Sequence, residues 1–187
     1  MKKILAVLIV LTLSGCKSMM ENQTASNANI NTTLDTWHKA AAEANYNDYF
    51  SLMADDAVFI GTDATENWNK TAFQAYAKPH FDKGHAWSFT ALERHIYFHE
   101  TGKTAWFDEL LNTQMKICRG SGVLVKIGKE WKIKQYVLSM TVPNDNSKEV
   151  IKIKASLEDA IITKFQSKQE FYLGSSATNK ATRRSSL

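Results

Sequence analysis

Apolar residues in the first half of the domain recur every three or four positions, which is the spacing of one helix face. Asn31, Thr32 and Thr33 are good helix N-caps, and the apolar and small residues after them predict a first helix through Leu34 and Ala44. The segments DYFSLM and KTAFQAYAKPHF predict two more helices. Between these two segments, AVFIG predicts a short strand that ends at a glycine.

From residue 87 onward, apolar and polar residues alternate, and this pattern predicts strands over residues 87–99, 104–115, 119–127 and 131–140. The turns TGK and GKE are short, so the strands that they join are antiparallel. Helices followed by an antiparallel sheet define an α+β domain in which the helices cover one sheet face.

The chain divides by composition into a domain and two flanking segments. Residues 32–147 are enough for one hydrophobic core and too few for two. Residues 16–31 are polar and small, which predicts a flexible tether. Residues 148–187 predict a C-terminal helical segment followed by a basic, disordered tail.

The first residues, MKKILAVLIVLTLSGC, combine two lysines, a short apolar run and small residues, which is the layout of a secretory signal. The ending LSGC resembles the lipobox of bacterial lipoproteins, which implies a signal peptide over residues 1–15 and acylation of Cys16. We therefore expect a protein anchored in the cell envelope through lipidated Cys16. In a Gram-negative source it is expected at the outer membrane, facing the periplasm.

The charge distribution argues against a nucleic-acid partner, although the formal net charge is +4. Residues 17–147 hold 13 Lys and Arg against 15 Asp and Glu, so the body is nearly neutral. Residues 148–187 hold eight basic and four acidic residues, which fits a solvated segment or one attracted to anionic lipid.

The cysteines and histidines predict neither a disulfide nor a metal site. If Cys16 is acylated, Cys118 has no partner, and it is expected to be a buried small residue. His95 and His99 are four positions apart, which on a strand separates them by about 13 Å. No HExxH motif or close cysteine pair is present in the sequence, so neither a metal nor a cofactor is expected.

Several segments in order resemble one known family. A helical start, a strand followed by FIGTDATENW, a helix reaching Tyr76 and Phe81, and the ending GSGVLVKIGKEWKIKQYVLS together resemble the SnoaL-like branch of the nuclear transport factor 2 superfamily, over about residues 34–144. The resemblance implies a cone-shaped barrel, in which a curved antiparallel sheet wraps around N-terminal helices. It also implies an interior pocket and often a homodimer through the outer sheet face.

The resemblance does not imply one activity, since members include cyclases, isomerases, dehydratases and proteins with no known reaction. We expect a small apolar or aromatic molecule to bind in the pocket, without established catalysis. The alternatives are an isomerase or hydratase that uses a pocket carboxylate for proton transfer, and a dimeric structural or assembly protein of the envelope.

Alternation along the strands predicts which side chains face the pocket. If Lys126 points outward, Arg119 points inward on the same strand. If Lys132 and Lys134 point outward, the inner face of the last strand carries the residues Trp131, Ile133, Gln135, Val137 and Ser139.

The stretch TAWFDELL places Asp108 and Glu109 side by side in an apolar strand, so only one of them can face inward. The alternation favours Glu109 inside, paired with Arg119, and Asp108 on the outer face. A β-bulge would exchange these roles, so both stay candidate catalytic carboxylates.

The loop after the first predicted strand supplies the remaining candidates. Asp63 is a candidate acid or base, and equally a turn residue. Aromatic residues are expected as pocket walls for a planar ligand, with core packing as the alternative for at least half of them. The expected wall residues are Trp68, Tyr76, Phe81, Trp87 and Trp106, and the alternation adds Trp131 from the last strand.

Overall fold

A computed structural model describes the backbone of residues 23–184 and the side chains of residues 23–169. The predicted signal peptide and the lipidation site Cys16 lie outside the described residues. Helix α1 covers residues 23–42, and a turn leads into α2, Tyr46–Ser51. The side chain of Asn45 caps α2 by accepting a hydrogen bond from the backbone N–H of Asp48.

Helix α1 begins earlier than the sequence predicts, because residues 23–31 are helical rather than part of a tether. Ile30 is fully buried, so the helix has an apolar anchor before the predicted boundary. The hydroxyls of Thr32 and Thr33 donate to the carbonyls four residues earlier. The predicted caps therefore lie inside the helix.

Six strands form one mixed sheet in the order β2-β1-β6-β5-β4-β3. Strands β3 to β6 are antiparallel neighbours, whereas β1 pairs with β6 in parallel. The strand bounds are β1 Met53–Ile60, β2 Asn67–Asn69, β3 Phe89–Phe98, β4 Thr104–Thr113, β5 Lys116–Ile127 and β6 Glu130–Met140. The predicted α+β fold is confirmed, with the correction that the curved sheet is mixed and unclosed.

Helix α3, Lys70–Phe81, matches its predicted segment and is capped by the side chain of Asn69. It buries Phe73, Ala77 and Phe81 against the rest of the body. The core is strongly aromatic. Tyr49 stacks on Trp37 at 4.7 Å between ring centroids.

The C-terminal unit, residues 142–187, contains a short 3-10 helix and helix α4, Ser147–Arg184. The backbone is helical to Arg184, so the part predicted as a disordered tail continues the helix that far. Exposed apolar side chains on α4 include Ile153, Leu157 and Phe165. Among the described residues, no helix is both long enough and apolar enough to cross a membrane.

Candidate functional site

Strand β4 sends Glu109 into the interior and Asp108 to the outer face. Ala105, Phe107, Glu109 and Leu111 are all buried, as a period of two requires. Glu109 is 1% exposed, which makes it the most deeply buried carboxylate of the described chain. On the outer face, the Asp108 carboxylate lies 3.2 Å from Nδ1 of His95.

Three side chains from different elements surround the Glu109 carboxylate. Oε1 accepts hydrogen bonds from His38 Nε2 on α1 at 2.8 Å and from the Tyr136 hydroxyl on β6 at 3.0 Å. Oε2 accepts a hydrogen bond from Arg94 Nε on β3 at 2.8 Å, and Arg94 Nη2 lies at the same distance in an ion pair. Glu109 therefore joins α1 to three strands.

These partners decide the charge of the carboxylate. Burial by itself raises the pKa of Glu109, but the hydrogen bonds from His38 and Arg94 and the positive charge of Arg94 outweigh burial and hold the pKa below its ordinary value. Burial, followed by the nearby Glu109 charge, raises the pKa of Tyr136 well above its ordinary value. Glu109 is thus ionised at neutral pH, and the Tyr136 phenol keeps the proton that it donates.

Arg94 is fixed at its outer edge as well. Its Nη1 donates to the side-chain oxygen of Asn31 at 3.0 Å and pairs with Asp35 at 2.9 Å. Asp35 is 64% exposed, so this pair lies at the surface, whereas the Arg94 side chain is 6% exposed. Arg94 therefore runs from the surface of α1 to the buried carboxylate.

Space for the Tyr136 hydroxyl comes from Gly120 on β5. A Cβ atom at Gly120 would lie 2.2 Å from the Tyr136 hydroxyl and 3.0 Å from Glu109 Cγ. Any larger residue would therefore displace the tyrosine or the carboxylate.

Arg119 is exposed, so the prediction that it faces inward and pairs with Glu109 is wrong. The inner side of β5 carries Cys118, Gly120 and Leu124 instead. The error comes from Lys126, which does not point away from the core. Its Nζ lies 5.9 Å from the ring centroid of Trp131, because a long lysine stem can cover an aromatic ring while its charge reaches water.

Strand β6 follows the predicted alternation only up to a register shift. Trp131 and Ile133 are buried, but the pairing with β5 skips Lys134, and the next buried residues are Tyr136 and Leu138. Such a bulge reverses the face of every later side chain. The pocket residues predicted beyond it, Gln135 and Ser139, therefore lie on the outer side.

A separate cavity of about 170 Å³ lies between α3 and the sheet. Of the predicted pocket residues, Trp68, Tyr76 and Trp87 line it. Phe81 and Trp131 are buried outside its lining. Trp106 is 46% exposed on the outer face of β4, so its prediction as a pocket wall is wrong. Its other walls are Phe59, Phe73, Phe89, Met115 and Leu138, with Gly61, Thr62, Glu66 and Gln114 as the remaining lining.

In the loop that supplies part of this lining, Asp63 forms a turn and does not itself line the cavity. Its Oδ1 accepts hydrogen bonds from the Thr65 hydroxyl at 2.6 Å and from the Thr65 backbone N–H at 2.8 Å, and these bonds lower its pKa. The carboxylate that lines the cavity is Glu66, which the sequence reasoning missed. Burial and the Glu66 charge raise the pKa of Tyr76, so these two side chains interact electrostatically at the cavity.

The sequence reasoning also missed His38, Arg94 and Tyr136. A signal for His38 was present, because it is four positions after Leu34 and belongs to the same buried helix face as Trp37. Within the described residues, no three His, Cys, Asp or Glu side chains group as a metal site. The absence of a cofactor stays a prediction.

The α+β fold is that of the nuclear transport factor 2-like class. The chain belongs to the SnoaL-like domain family, whose model matches residues 30–143. No curated protein matches the chain at a significant level.

Solved structures with the same fold share little sequence with this chain. An NTF2-like protein of unknown function from Pseudomonas putida is 16% identical with a TM-score of 0.55, over 66% of this chain and 92% of that one. A candidate scytalone dehydratase from Novosphingobium aromaticivorans is 12% identical with a TM-score of 0.57, over 66% and 89%. A candidate NTF2-like dehydratase from Streptomyces avermitilis is 12% identical with a TM-score of 0.53, over 62% and 96%.

Proposed function

We propose that this SnoaL-like domain binds a small aromatic or apolar molecule in the cavity between α3 and the sheet. The observation that carries the proposal is the wall of the cavity, which is built from aromatic rings on several elements with a few polar groups beside them. Concave sites of this composition are typical for small-molecule ligands, since apolar walls supply affinity and isolated polar groups supply orientation.

The size of the cavity limits the ligand to about one ring. Its volume of about 170 Å³ is below the range of drug-sized pockets, which begin near 300 Å³. An apolar cavity of about 150 Å³ in another protein holds one benzene molecule. The stacked rings of Trp68 and Tyr76, 4.5 Å apart, offer a flat surface for such a ligand.

The alternative of proton-transfer catalysis by an inner carboxylate has less support. A catalytic acid or base needs an oxygen that can reach the substrate, whereas both oxygens of Glu109 are occupied by His38, Arg94 and Tyr136. The other two candidates, Asp63 and Asp108, lie in a surface turn and on the outer sheet face. The dehydratase names of two structural neighbours do not change this, because identities of 12% support the fold alone.

Calorimetric titration of the protein with toluene, phenol and indole tests the proposal. Thr62 is exposed and lines the cavity, so Thr62→Trp is expected to weaken binding at least tenfold by obstructing the space. Ala64→Trp is the matched control, because Ala64 is exposed in the same loop but does not line the cavity. If neither variant alters binding, or no ring compound binds, the cavity is not the site.

We also propose that the domain works at the cell envelope, held by lipidated Cys16. The basis is the order of lysines, apolar run and LSGC at the start of the sequence. Mass spectrometry of the mature N-terminus is expected to find acylated Cys16. An unmodified cysteine, or a leader cleaved elsewhere, would contradict the anchor while leaving the cavity proposal intact.

A further inference from the structure

Only one of the two ring nitrogens of His38 has a hydrogen-bond partner among the described residues. Nε2 contacts Glu109, whereas Nδ1 is buried and has no protein partner. The whole residue is 4% exposed. A buried polar atom without a partner costs free energy, and a hydrogen bond from a bound molecule would remove that cost.

The partners of Glu109 determine what Nδ1 can do. An ionised carboxylate only accepts hydrogen bonds, so the Nε2 atom of His38 must carry a proton. Arg94 supplies a full counter-charge to Glu109, so the ion pair does not require a charge on His38. In the neutral imidazole, the proton on Nε2 leaves Nδ1 as an acceptor.

Phe89 connects the His38 ring to the cavity. The Phe89 ring lies edge-on to the His38 ring at 5.8 Å between centroids, and the same side chain lines the cavity wall. Leu138 also lines the cavity, and it lies on β6 two residues after Tyr136 of the polar cluster. The polar cluster and the aromatic cavity are therefore adjacent, with one phenylalanine side chain in contact with both.

We propose that Nδ1 of His38 accepts a hydrogen bond from a hydroxyl or N–H group on a ring molecule in the cavity. The ligand enters beside Trp68 and Tyr76, turns the Phe89 side chain aside, and places its donor against Nδ1. Glu109 acts as a positioning residue, because it fixes the tautomer and orientation of the imidazole. The inference rests on the proposed function and narrows its ligand class to phenols and N–H heterocycles.

Titration with phenol and toluene separates the two proposals. Toluene has nearly the same shape as phenol and no donor, so its binding reports the cavity alone. His38→Gln keeps a side-chain amide that can donate to Glu109 but removes the ring acceptor. We expect this substitution to weaken phenol binding about tenfold, the effect of one hydrogen bond, and to change toluene binding by less than about twofold.

The outcomes of the phenol and toluene titrations distinguish the cavity proposal from the role of His38. Binding of neither compound to the unsubstituted protein contradicts the proposed cavity function itself. Binding of both compounds, with phenol insensitive to His38→Gln, leaves the cavity proposal standing and overturns the role of His38.

A measurement on the unsubstituted protein does not depend on whether the His38→Gln variant folds. In nitrogen NMR of histidine-labelled protein, phenol is expected to move the Nδ1 resonance of His38, while toluene leaves it in place. Equal responses to the two ligands would overturn the proposal. The outward-facing His95, paired with Asp108, is an internal reference.

Discussion

At the scale of single residues, the ion pair of Glu109 and Arg94 dominates the interior. Removing one member leaves a buried charge without its partner, which costs about 3–5 kcal/mol in comparable sites. We expect Arg94→Met to lower the free energy of unfolding by an amount in this range, measured by urea denaturation. Asp35→Asn is the control, because its contact with Arg94 is largely exposed and such pairs contribute about 0–1 kcal/mol. Similar losses in both variants would contradict the dominance of the buried pair.

The same carboxylate predicts a pH dependence of stability. The folded-state pKa of Glu109 lies below its ordinary value of 4.5, so its contribution to stability is complete above that value and is lost as the pH falls through the folded-state pKa. We expect Glu109→Gln to be less stable than the unsubstituted protein at pH 7, with a shallower fall in unfolding free energy below about pH 4.5.

Urea denaturation between pH 3 and pH 7 measures this difference in slope. Glu43→Gln is the matched control, because Glu43 is exposed and its ion pair is a surface contact with Lys39 four residues earlier. It is expected to keep the slope of the unsubstituted protein. An unchanged slope in Glu109→Gln would show that other groups cause the acid sensitivity.

At the scale of helices and strands, the sequence predicts the elements better than their faces. Periodicity located α3 and the four long strands, since each carries an apolar pattern of sufficient length. It missed β2, whose three residues are too few for a pattern. The predicted side-chain orientations are wrong in two strands. In β6 the extra residue Lys134 breaks the alternation, and in β5 the Lys126 stem covers an aromatic ring instead of pointing away from the core.

The candidate site was less predictable than the fold, because its contacts join residues that are distant in sequence. Glu109 could be placed inside from its own strand. Its partner Arg94 depends on a register shift between Ala91 and Glu93, which brings Arg94 opposite Glu109 across β3 and β4. No local pattern specifies that shift. His38 is 71 residues away from Glu109, so only the packing of α1 on the sheet brings the two together.

The early start of α1 gives a prediction at this scale. Ile30 is fully buried, so Ile30→Ala is expected to lower the free energy of unfolding by about 2–5 kcal/mol. Asn29→Ala is the adjacent control, since Asn29 is exposed and its substitution should cost less than about 0.5 kcal/mol. Thermal or urea unfolding measures both. An unaffected Ile30→Ala variant would mean that residues before 31 act as the tether that the sequence predicts.

At the scale of the whole molecule, the outer sheet face is the surface that the fold leaves without a covering layer in the N-terminal unit. Strand pairing aligns Tyr97, Trp106 and Val123 across three strands, and both aromatic rings are 46% exposed. The adjacent row contains His95 and Asp108, which offer opposite charges on one surface. One row of this face is apolar, and the next row carries groups of opposite charge. Such a face is complementary to a second copy of itself.

We therefore propose that the protein forms a homodimer through this face. Trp106→Glu would place a charge in the apolar row, and it is expected to shift the protein to monomer without unfolding it, because Trp106 is not part of the buried core. Sedimentation velocity over a concentration series measures the change. Tyr76→Glu is the matched control, since Tyr76 is 44% exposed but lies on α3, away from this face. A protein that is monomeric at every concentration, or a Trp106→Glu variant that still dimerises, would contradict the interface, whereas a shift confined to Trp106→Glu would locate it on the sheet.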